Sequence, residues 1–471
     1  MSPKQVLRFF VIIIIALAAL CLLYPSEGIT VAGHTFRFST LHHALVKETG
    51  PSEEELLQEE QARELQGFRD SVEYYLHSMD SSNTRFWLPR GDYRFFDVLF
   101  ARLDAAQADS QIVRILHYGD SQIEMDRMTA QLRAKLMEVW GGGGPGLLPI
   151  RQTIPSTTVN QSSTGDLRMQ SSYGSPETMP RAAGNYGPMT RCHHLVGTTQ
   201  VSIRASKHAK TDDRAKSFST ITLLYNNRPG PLSATLQTTG QSHNESASGV
   251  HAMRWQTDSA VHALSLTLNG DADIYGIMVD DGPGVAVDNI AMRGCSGQQF
   301  CMINADQLQA AYSHMNVGLI IMQFGGNSVP YLRSNKSIEV YAASMGKQID
   351  RLHQCCPDAK ILFVGPSDMS TMVAGELRSY PYLKTVVSAL RDTALSHGAA
   401  FWSIYDAMGG DGTMVAWARN GLAVSDYIHF SQRGVEVMGN RFADALLRMY
   451  EFYTFRRRIP QQYLDSIQTT R

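Results

Sequence analysis

Four short segments of the 471-residue chain supply the side chains of a serine hydrolase in one chain order. They are residues 119–122 (GDSQ), 293–295 (RGC), 325–328 (GGNS) and 426–429 (DYIH). Serine is a weak nucleophile until a base takes its proton, and the anion that its attack creates needs preorganised hydrogen-bond donors. A serine, a histidine with a carboxylate three residues before it, a glycine and an asparagine together predict acyl transfer at Ser121.

The elements around these segments predict a parallel sheet. The apolar run 113–118 has the character of a buried strand that delivers Ser121 to a turn, and helical periodicity follows over 125–139. Further strand-like runs (317–324, 360–364, 400–405) alternate with helical segments (337–354, 382–397). Such alternation is typical of a parallel sheet covered on both faces, with the active site at the carboxyl ends of the strands. Ser121 and Asn327 each follow one of these strands.

The region from 151 to 275 differs from its surroundings in composition and in residue pattern. It is rich in Ser, Thr, Gly and Asn, with short alternating runs and turn residues between them. This pattern predicts an antiparallel β-sandwich, and the return of the α/β pattern afterwards makes it an insertion. The glycine-rich run 141–146, just before it, is expected to form a loop at the rim of the active site.

The N-terminus predicts export. Lys4 and Arg8 precede an apolar run over 9–24, which has the character of an export signal. An uncleaved membrane anchor is favoured over a cleaved signal peptide, and both remain open. The Glu- and Gln-rich stretch 51–79 predicts a spacer helix, so the enzyme is expected on the periplasmic or cell-surface side. The net charge of −2 argues against nucleic acid as a partner.

The cysteines leave two alternatives open. Cys295 and Cys301 are spaced so that they could close a short disulfide loop in an oxidising compartment, and isolated thiols are equally compatible with the sequence. The chain has no paired Cys and His spacing of the kind that holds structural zinc, so no metal site is predicted.

The order G-D-S, glycine, G-x-N and D-x-x-H resembles the SGNH (GDSL-type) hydrolase superfamily. The long β insertion between the first two segments resembles the peptidoglycan O-acetylesterases that carry an inserted β-sandwich. This resemblance implies a three-layer, flavodoxin-like α/β hydrolase domain, interrupted by an all-β sandwich of carbohydrate-binding type, and no cofactor. The predicted domains are a signal or anchor (1–27), a spacer (28–90), the hydrolase domain (91–150 and 276–455), the inserted β-sandwich (151–275) and a basic, solvated tail (456–471).

The resemblance also implies roles for individual residues. Ser121 would be the nucleophile, His429 its general base, and Asp426 the group that orients His429. The oxyanion hole would comprise the backbone N–H groups of Ser121 and Gly294 with the side-chain amide of Asn327. Gln122 and Arg293 are possible substrate-binding residues.

Two departures from the family pattern accompany these roles. Ser328 stands where the family usually has aspartate, and residues 293–295 read R-G-C where N-G-A is common. Neither change removes a reacting group. The first bears on what supports Asn327, and the second on whether Arg293 faces substrate or pairs with a nearby carboxylate.

The predicted function is removal of O-acetyl groups from an envelope polysaccharide, with peptidoglycan as the substrate that the resemblance implies. Two alternatives remain. The same acyl-enzyme could transfer its acetyl group to a sugar hydroxyl of a surface glycan, or the chain could be a glycan-binding protein whose hydrolase domain is vestigial.

Overall fold

The computed structural model describes residues 2–25, 28–31, 33–37, 51–174, 180–181, 183–207, 212–464 and 466–467. The chain divides into two compact units, residues 1–70 and 71–471, and each is described by itself.

The described α-helices are α1 (Pro3–Leu23), α2 (Glu53–Asp80), α3 (Asp97–Ala105), α4 (Arg127–Trp140), α5 (Ala305–Ser313), α6 (Asn335–Cys355), α7 (Leu383–Ser396), α8 (Ile404–Met408), α9 (Thr413–Arg419), α10 (Gln432–Arg456) and α11 (Gln461–Leu464). The described strands are β1 (Ile29–Val31), β2 (His34–Phe36), β3 (Phe86–Trp87), β4 (Ile112–Gly119), β5 (Gly146–Leu148), β6 (Val159–Ser163), β7 (Leu167–Ser171), β8 (Arg191–Ala205), β9 (Phe218–Asn227), β10 (Leu232–Leu236), β11 (Gln241–Glu245), β12 (Gly249–Val261), β13 (Ala263–Asp280), β14 (Gly284–Ala291), β15 (Val317–Gln323), β16 (Lys360–Gly365), β17 (Ser370–Val373), β18 (Glu376–Ser379) and β19 (Ala400–Ser403).

The first unit contains α1, the β1–β2 hairpin and the start of α2. Helix α1 is long and apolar enough to cross a membrane, a property that a signal sequence shares. Helix α2 begins with a capping box, in which Ser52 Oγ accepts from the N–H of Glu55 at 3.1 Å and Glu55 accepts from the N–H of Ser52 at 2.7 Å. The acidic helix predicted from the sequence is therefore present, and its role as a spacer remains a prediction.

The second unit is built on a six-stranded sheet in the order β14-β4-β15-β16-β19-β3. The first five strands are parallel, and the two-residue β3 pairs antiparallel at the edge. Its central strands are nearly continuous apolar runs because helices cover both faces. Gly119 is in register with both Ala291 and Gln323, so β4, β14 and β15 end at one edge of the sheet. Two of the predicted strands, β4 and β15, thus end together where the chemistry was expected.

Strand β14 was not anticipated from the sequence. It lies beside β4 on the side opposite β15, so the nucleophile strand is flanked on both sides. Its run from Val285 to Ile290 is short and apolar and carries Asp288 in its middle, which obscures the pattern of a buried strand. The strand matters because it leads directly to Arg293 and Gly294.

Nine further strands, β5 to β13, form one antiparallel sheet, and β17 and β18 form a separate antiparallel pair. Strand β13 is shared by both halves of the nine-stranded sheet: its first part pairs with β8 and β10, and its last part, from Ala272, pairs with β9 across a bulge between Ile274 and Gly276. Side chains from both halves enclose a single apolar core that includes Trp255, Leu266 and Val201. The predicted fold class, an α/β hydrolase with an inserted antiparallel β region, is confirmed. The division at 275/276 falls inside β13, and the domain boundaries stay a prediction.

Two local expectations are wrong. Gly142 packs against the backbone of Val285, at the amino end of β14, and Gly144 against that of Val279 in β13, so both lie away from the active-site edge. The C-terminal basic run is also not fully solvated, because Arg456 is 9% exposed and its guanidinium pairs with Asp97 at 2.6 Å. The last residues of the predicted tail, 468–471, lie outside the described residues.

Candidate active site

Three side chains from the two ends of the hydrolase sequence form a hydrogen-bonded chain. Ser121 Oγ lies 2.8 Å from His429 Nε2, and His429 Nδ1 lies 2.7 Å from Asp426 Oδ2. If His429 is neutral and protonated at Nδ1, its Nε2 is free to accept the serine proton. The arrangement therefore can generate a nucleophilic serine, with the carboxylate holding the required tautomer.

The turn that carries His429 is held by hydrogen bonds from its own backbone to the side chain of Asp426. Asp426 Oδ1 accepts from the N–H groups of Ile428 at 2.9 Å and His429 at 3.0 Å. Between them Tyr427 adopts a left-handed φ of 57°, a conformation that non-glycine residues seldom adopt. Partial burial acts to raise the pKa of Asp426, but these N–H groups and the His429 side chain outweigh it and lower the pKa. The carboxylate is thus kept ionised beside the imidazole.

Asn327 reaches the same pocket from the end of β15. Its Nδ2 donates to Asp120 Oδ2 at 3.0 Å and to the carbonyl of Cys295 at 3.2 Å. Asp120 is 5% exposed, and burial raises its pKa to about 6 in spite of these hydrogen bonds. Asn327 is therefore held by Asp120, the middle residue of the first segment, and by the carbonyl of Cys295.

Gly294 and Arg293 complete the edge of the site nearest β14. Gly294 has a φ of 74°, and an added Cβ there would meet no atom within 4 Å, so the backbone angle rather than crowding favours glycine. Arg293 Nε donates to Glu124 Oε1 at 2.8 Å, and its Nη2 also contacts that carboxylate. The Arg293 side chain is 69% exposed while that of Glu124 is 6% exposed. Arg293 therefore both neutralises a buried carboxylate and faces the pocket.

Gln122 lines the pocket, but its amide is engaged by the turn that carries His429. Its Nε2 donates to the carbonyl of Ile428 at 2.7 Å, and its Oε1 accepts from the N–H of Phe430 at 3.4 Å. These two residues immediately flank His429. Gln122 thus connects the nucleophile turn to the turn that carries the base, His429.

Arg127, which was not singled out from the sequence, strengthens the same junction. Its guanidinium donates to three carbonyls, those of Glu124 at 3.1 Å, Phe430 at 3.3 Å and Ser121 at 3.2 Å. The sequence around an arginine in the first turn of a helix does not show whether its side chain binds nearby carbonyls or points into solvent.

These groups line a pocket of about 620 Å³. The lining includes Ser121, Gly294, Asn327, Asp426 and His429, so the structure brings together every residue that the resemblance assigned to catalysis. All six cysteines are free thiols, and Cys295 donates to Gln299 Oε1 at 3.0 Å instead of pairing with Cys301. Within the described part of the chain, no three His, Cys, Asp or Glu side chains are grouped so that they could hold a metal ion.

Comparison with known families agrees with this geometry. Residues 258–437 match the GDSL-like Lipase/Acylhydrolase family. The chain carries a GDSL-type acylhydrolase domain. The acylhydrolase match includes Gly294, Asn327, Asp426 and His429, while Ser121 lies before the inserted strands and outside the matched residues. The protein is accordingly a carboxylic ester hydrolase.

Solved structures extend the comparison of the acylhydrolase fold. A peptidoglycan O-acetylesterase is 22% identical with a TM-score of 0.61, and the alignment covers 75% of this chain and 96% of that protein. Est24, a carbohydrate acetylesterase from Sinorhizobium meliloti, is 18% identical with a TM-score of 0.26, covering 35% of this chain and 78% of that one. No curated protein matches the sequence. The first likeness establishes a shared fold over three quarters of this chain.

Proposed function

We propose that this protein removes O-acetyl groups from an envelope glycan, with peptidoglycan as its substrate, through an acyl-enzyme on Ser121. The observation that carries the proposal is the hydrogen-bonded chain from Ser121 Oγ through His429 to Asp426, at 2.8 and 2.7 Å. The acetyl group and the glycan are supported by the fold shared with a peptidoglycan O-acetylesterase. The apolar helix α1, a signal or an anchor, is compatible with a site of action outside the cytoplasm.

In the first half-reaction, Ser121 Oγ attacks the ester carbonyl carbon as its proton passes to His429 Nε2. Asp426 stabilises the imidazolium that forms. The carbonyl oxygen becomes an oxyanion, which the N–H groups of Ser121 and Gly294 and the Asn327 amide stabilise. Asn327 already uses its two amide hydrogens on Asp120 and Cys295, so the longer bond to the Cys295 carbonyl is the one that an oxyanion would share or replace.

Collapse of the tetrahedral intermediate breaks the bond to the sugar oxygen. His429 returns its proton to that oxygen, and the sugar hydroxyl leaves with the acetyl group still on Ser121. In the second half-reaction a water molecule gives its proton to His429 and attacks the acetyl carbonyl, and acetate and free Ser121 result. Each step uses the same base and the same oxyanion donors.

The test is acetate release from O-acetylated peptidoglycan by the full-length protein, with Ser121→Ala and Ser396→Ala measured beside it. Ser396 is an exposed serine at the end of α7 and serves as the matched control. We expect wild type and Ser396→Ala to release acetate, and Ser121→Ala to lose activity by about 10³-fold or more, because the nucleophile is gone.

Three results would contradict the proposal in different ways. Activity of Ser121→Ala equal to wild type would remove the serine from the mechanism. Acetylated product with an added sugar acceptor, in place of free acetate, would show a transferase. Binding of glycan by wild type without turnover of any ester would show a vestigial hydrolase domain.

A further inference from the structure

Three exposed apolar side chains belong to the lining of the catalytic pocket. They are Met125, Tyr331 and Val424, which are 39%, 78% and 41% exposed. Each comes from a different catalytic segment: the first lies four residues after the nucleophile, the second four residues after the oxyanion asparagine, and the third two residues before the triad acid. Exposed apolar side chains are ordinarily scattered singly, so a set of three around one pocket indicates a contact with substrate.

Tyr331 is the largest and the most exposed of the three. Two other tyrosines of the second unit are also exposed, Tyr74 at 71% and Tyr382 at 45%, and both lie outside the lining of this pocket. The Tyr331 ring is therefore an open aromatic surface at the place where an ester must enter to reach Ser121.

The backbone that carries Tyr331 is held in place on both sides. The N–H of Tyr331 donates to the carbonyl of Ser328 at 2.9 Å within a single turn of 3₁₀ helix, Val329–Tyr331. Val329 and Leu332 are 2% and 8% exposed and anchor the turn in the core, while the ring of Pro330 restricts its φ. The tyrosine ring is thus presented to solvent from a preorganised turn, which reduces the entropy lost when it binds a ligand.

The pocket is larger than an acetyl group requires. Its volume of about 620 Å³ lies within the usual range of ligand pockets, about 300–1,000 Å³. An acetyl group has only three non-hydrogen atoms, so most of this space is left for the alcohol part of the ester. That part lies between Ser121 and solvent, where the three exposed apolar side chains are.

A sugar ring suits such a lining because its two kinds of surface differ. The C–H groups on one face of a pyranose are apolar and carry a small positive charge, and the face of an aromatic ring is negative. The hydroxyl groups at the edge of the sugar need polar partners, and the 69% exposed Arg293 offers N–H donors in the same pocket. The lining therefore supplies both an apolar surface and a donor to one ligand.

We propose that Tyr331, with Met125 and Val424 beside it, forms an apolar platform on which the acetylated sugar ring stacks. Tyr331 is then a specificity-determining residue that makes the enzyme prefer sugar esters to small alkyl esters. This inference rests on the proposed function, because it requires an acetylated sugar at Ser121.

The test compares acetate release from an O-acetylated disaccharide of peptidoglycan and from ethyl acetate, which carries the same acyl group on an alcohol without a ring. The full-length protein is used, and kcat and KM are measured for both substrates. Tyr331→Ala removes the ring, and Tyr331→Phe keeps the ring without its hydroxyl. Tyr74→Ala, which removes an exposed tyrosine on α2 outside the pocket, is the matched control.

We expect Tyr331→Ala to lower kcat/KM for the disaccharide by about five- to tenfold, chiefly through KM, because one aromatic contact with the sugar is lost. Turnover of ethyl acetate by this variant should stay close to that of wild type, which also shows that the variant is folded. Tyr331→Phe and Tyr74→Ala should keep the wild-type preference for the disaccharide.

Three results would overturn the platform while leaving the proposed function intact. They are no change in Tyr331→Ala on either substrate, an equal loss on both substrates, and a loss in Tyr331→Phe as large as that in Tyr331→Ala. The second would show that Tyr331 supports the turn of Asn327 instead of the sugar, and the third that its hydroxyl acts and not its ring. Hydrolysis of ethyl acetate but not of the disaccharide by wild type would overturn the proposed function, and the platform with it.

Discussion

The substitution Asp120→Asn tests how much the buried carboxylate beneath the active site lowers the free energy of unfolding. Asp120 is 5% exposed, and its two oxygens accept from Asn327 Nδ2 at 3.0 Å and from the N–H of Gln122 at 3.0 Å. The carboxylate therefore joins the nucleophile turn to the residue expected to stabilise the oxyanion. Asparagine has nearly the same shape but keeps only one accepting oxygen.

The magnitude follows from the pKa. Burial raises the pKa of Asp120 from 3.8 to about 6, and the hydrogen bonds to Gln122 and Asn327 and the charge of His429 offset only part of this rise. At about 1.36 kcal/mol for each pKa unit, the difference corresponds to about 3 kcal/mol of unfolding free energy.

The direction of the pH dependence follows from linkage. Because the folded protein binds this proton more tightly than the unfolded chain, the stability that Asp120 contributes is fully present below pH 3.8 and is lost as the pH rises through about 6. We expect the free energy of unfolding of Asp120→Asn to rise relative to wild type by up to about 3 kcal/mol between pH of about 4 and 8. The donor left without an acceptor adds a cost of about 1–3 kcal/mol, which does not depend on pH.

Urea unfolding of the full-length protein in detergent micelles, at a series of pH values, measures this difference. Asp109→Asn, which removes an exposed carboxylate, separates the effect of burial from a change in net charge. Esterase activity of Asp120→Asn should fall even where stability rises, because Asn327 or the nucleophile turn loses a partner. Parallel stability curves for wild type and Asp120→Asn across this pH range would refute the reasoning.

Two further substitutions test the hydrogen bonds that flank His429 and the buried ion pairs of Arg114. Gln122→Ala removes both hydrogen bonds that flank His429. We therefore expect kcat for a small acetyl ester to fall about tenfold or more, with little change in KM. A change confined to KM would instead indicate that Gln122 contacts substrate. Arg114 is 2% exposed and pairs with Asp288 at 2.7 Å and Asp280 at 2.5 Å. Arg114→Met should lower the urea unfolding free energy by about 3–5 kcal/mol, because two buried carboxylates lose their counterion, while Lys135→Ala, which breaks a partly exposed ion pair, should cost about 1 kcal/mol or less.

The parts of the fold that the sequence predicted are those with a strong local pattern. The apolar runs of β4, β15 and β16 are buried on both faces, so each strand can be recognised from its own sequence. Their shared carboxyl edge follows from parallel pairing, which is why Ser121 and Asn327 were expected together. Strand β14 was not predicted because the buried Asp288 interrupts its apolar run. The counterion of that carboxylate, Arg114, lies far away in the sequence.

The same distinction separates the reacting groups of the site from their supports. Ser121, Asp426 and His429 have side chains whose chemistry is informative alone, and their spacing within each segment adds to it. Asp120 and Gln122 belong to the first segment too, yet what they do depends on contacts with Asn327 and with the residues around His429, about 200 and 300 positions away. Such roles are set by which loops the sheet brings to one edge, and no local pattern encodes that meeting. A polar residue beside a nucleophile is therefore more safely predicted to be present in the site than to contact substrate, and Gln122 illustrates why.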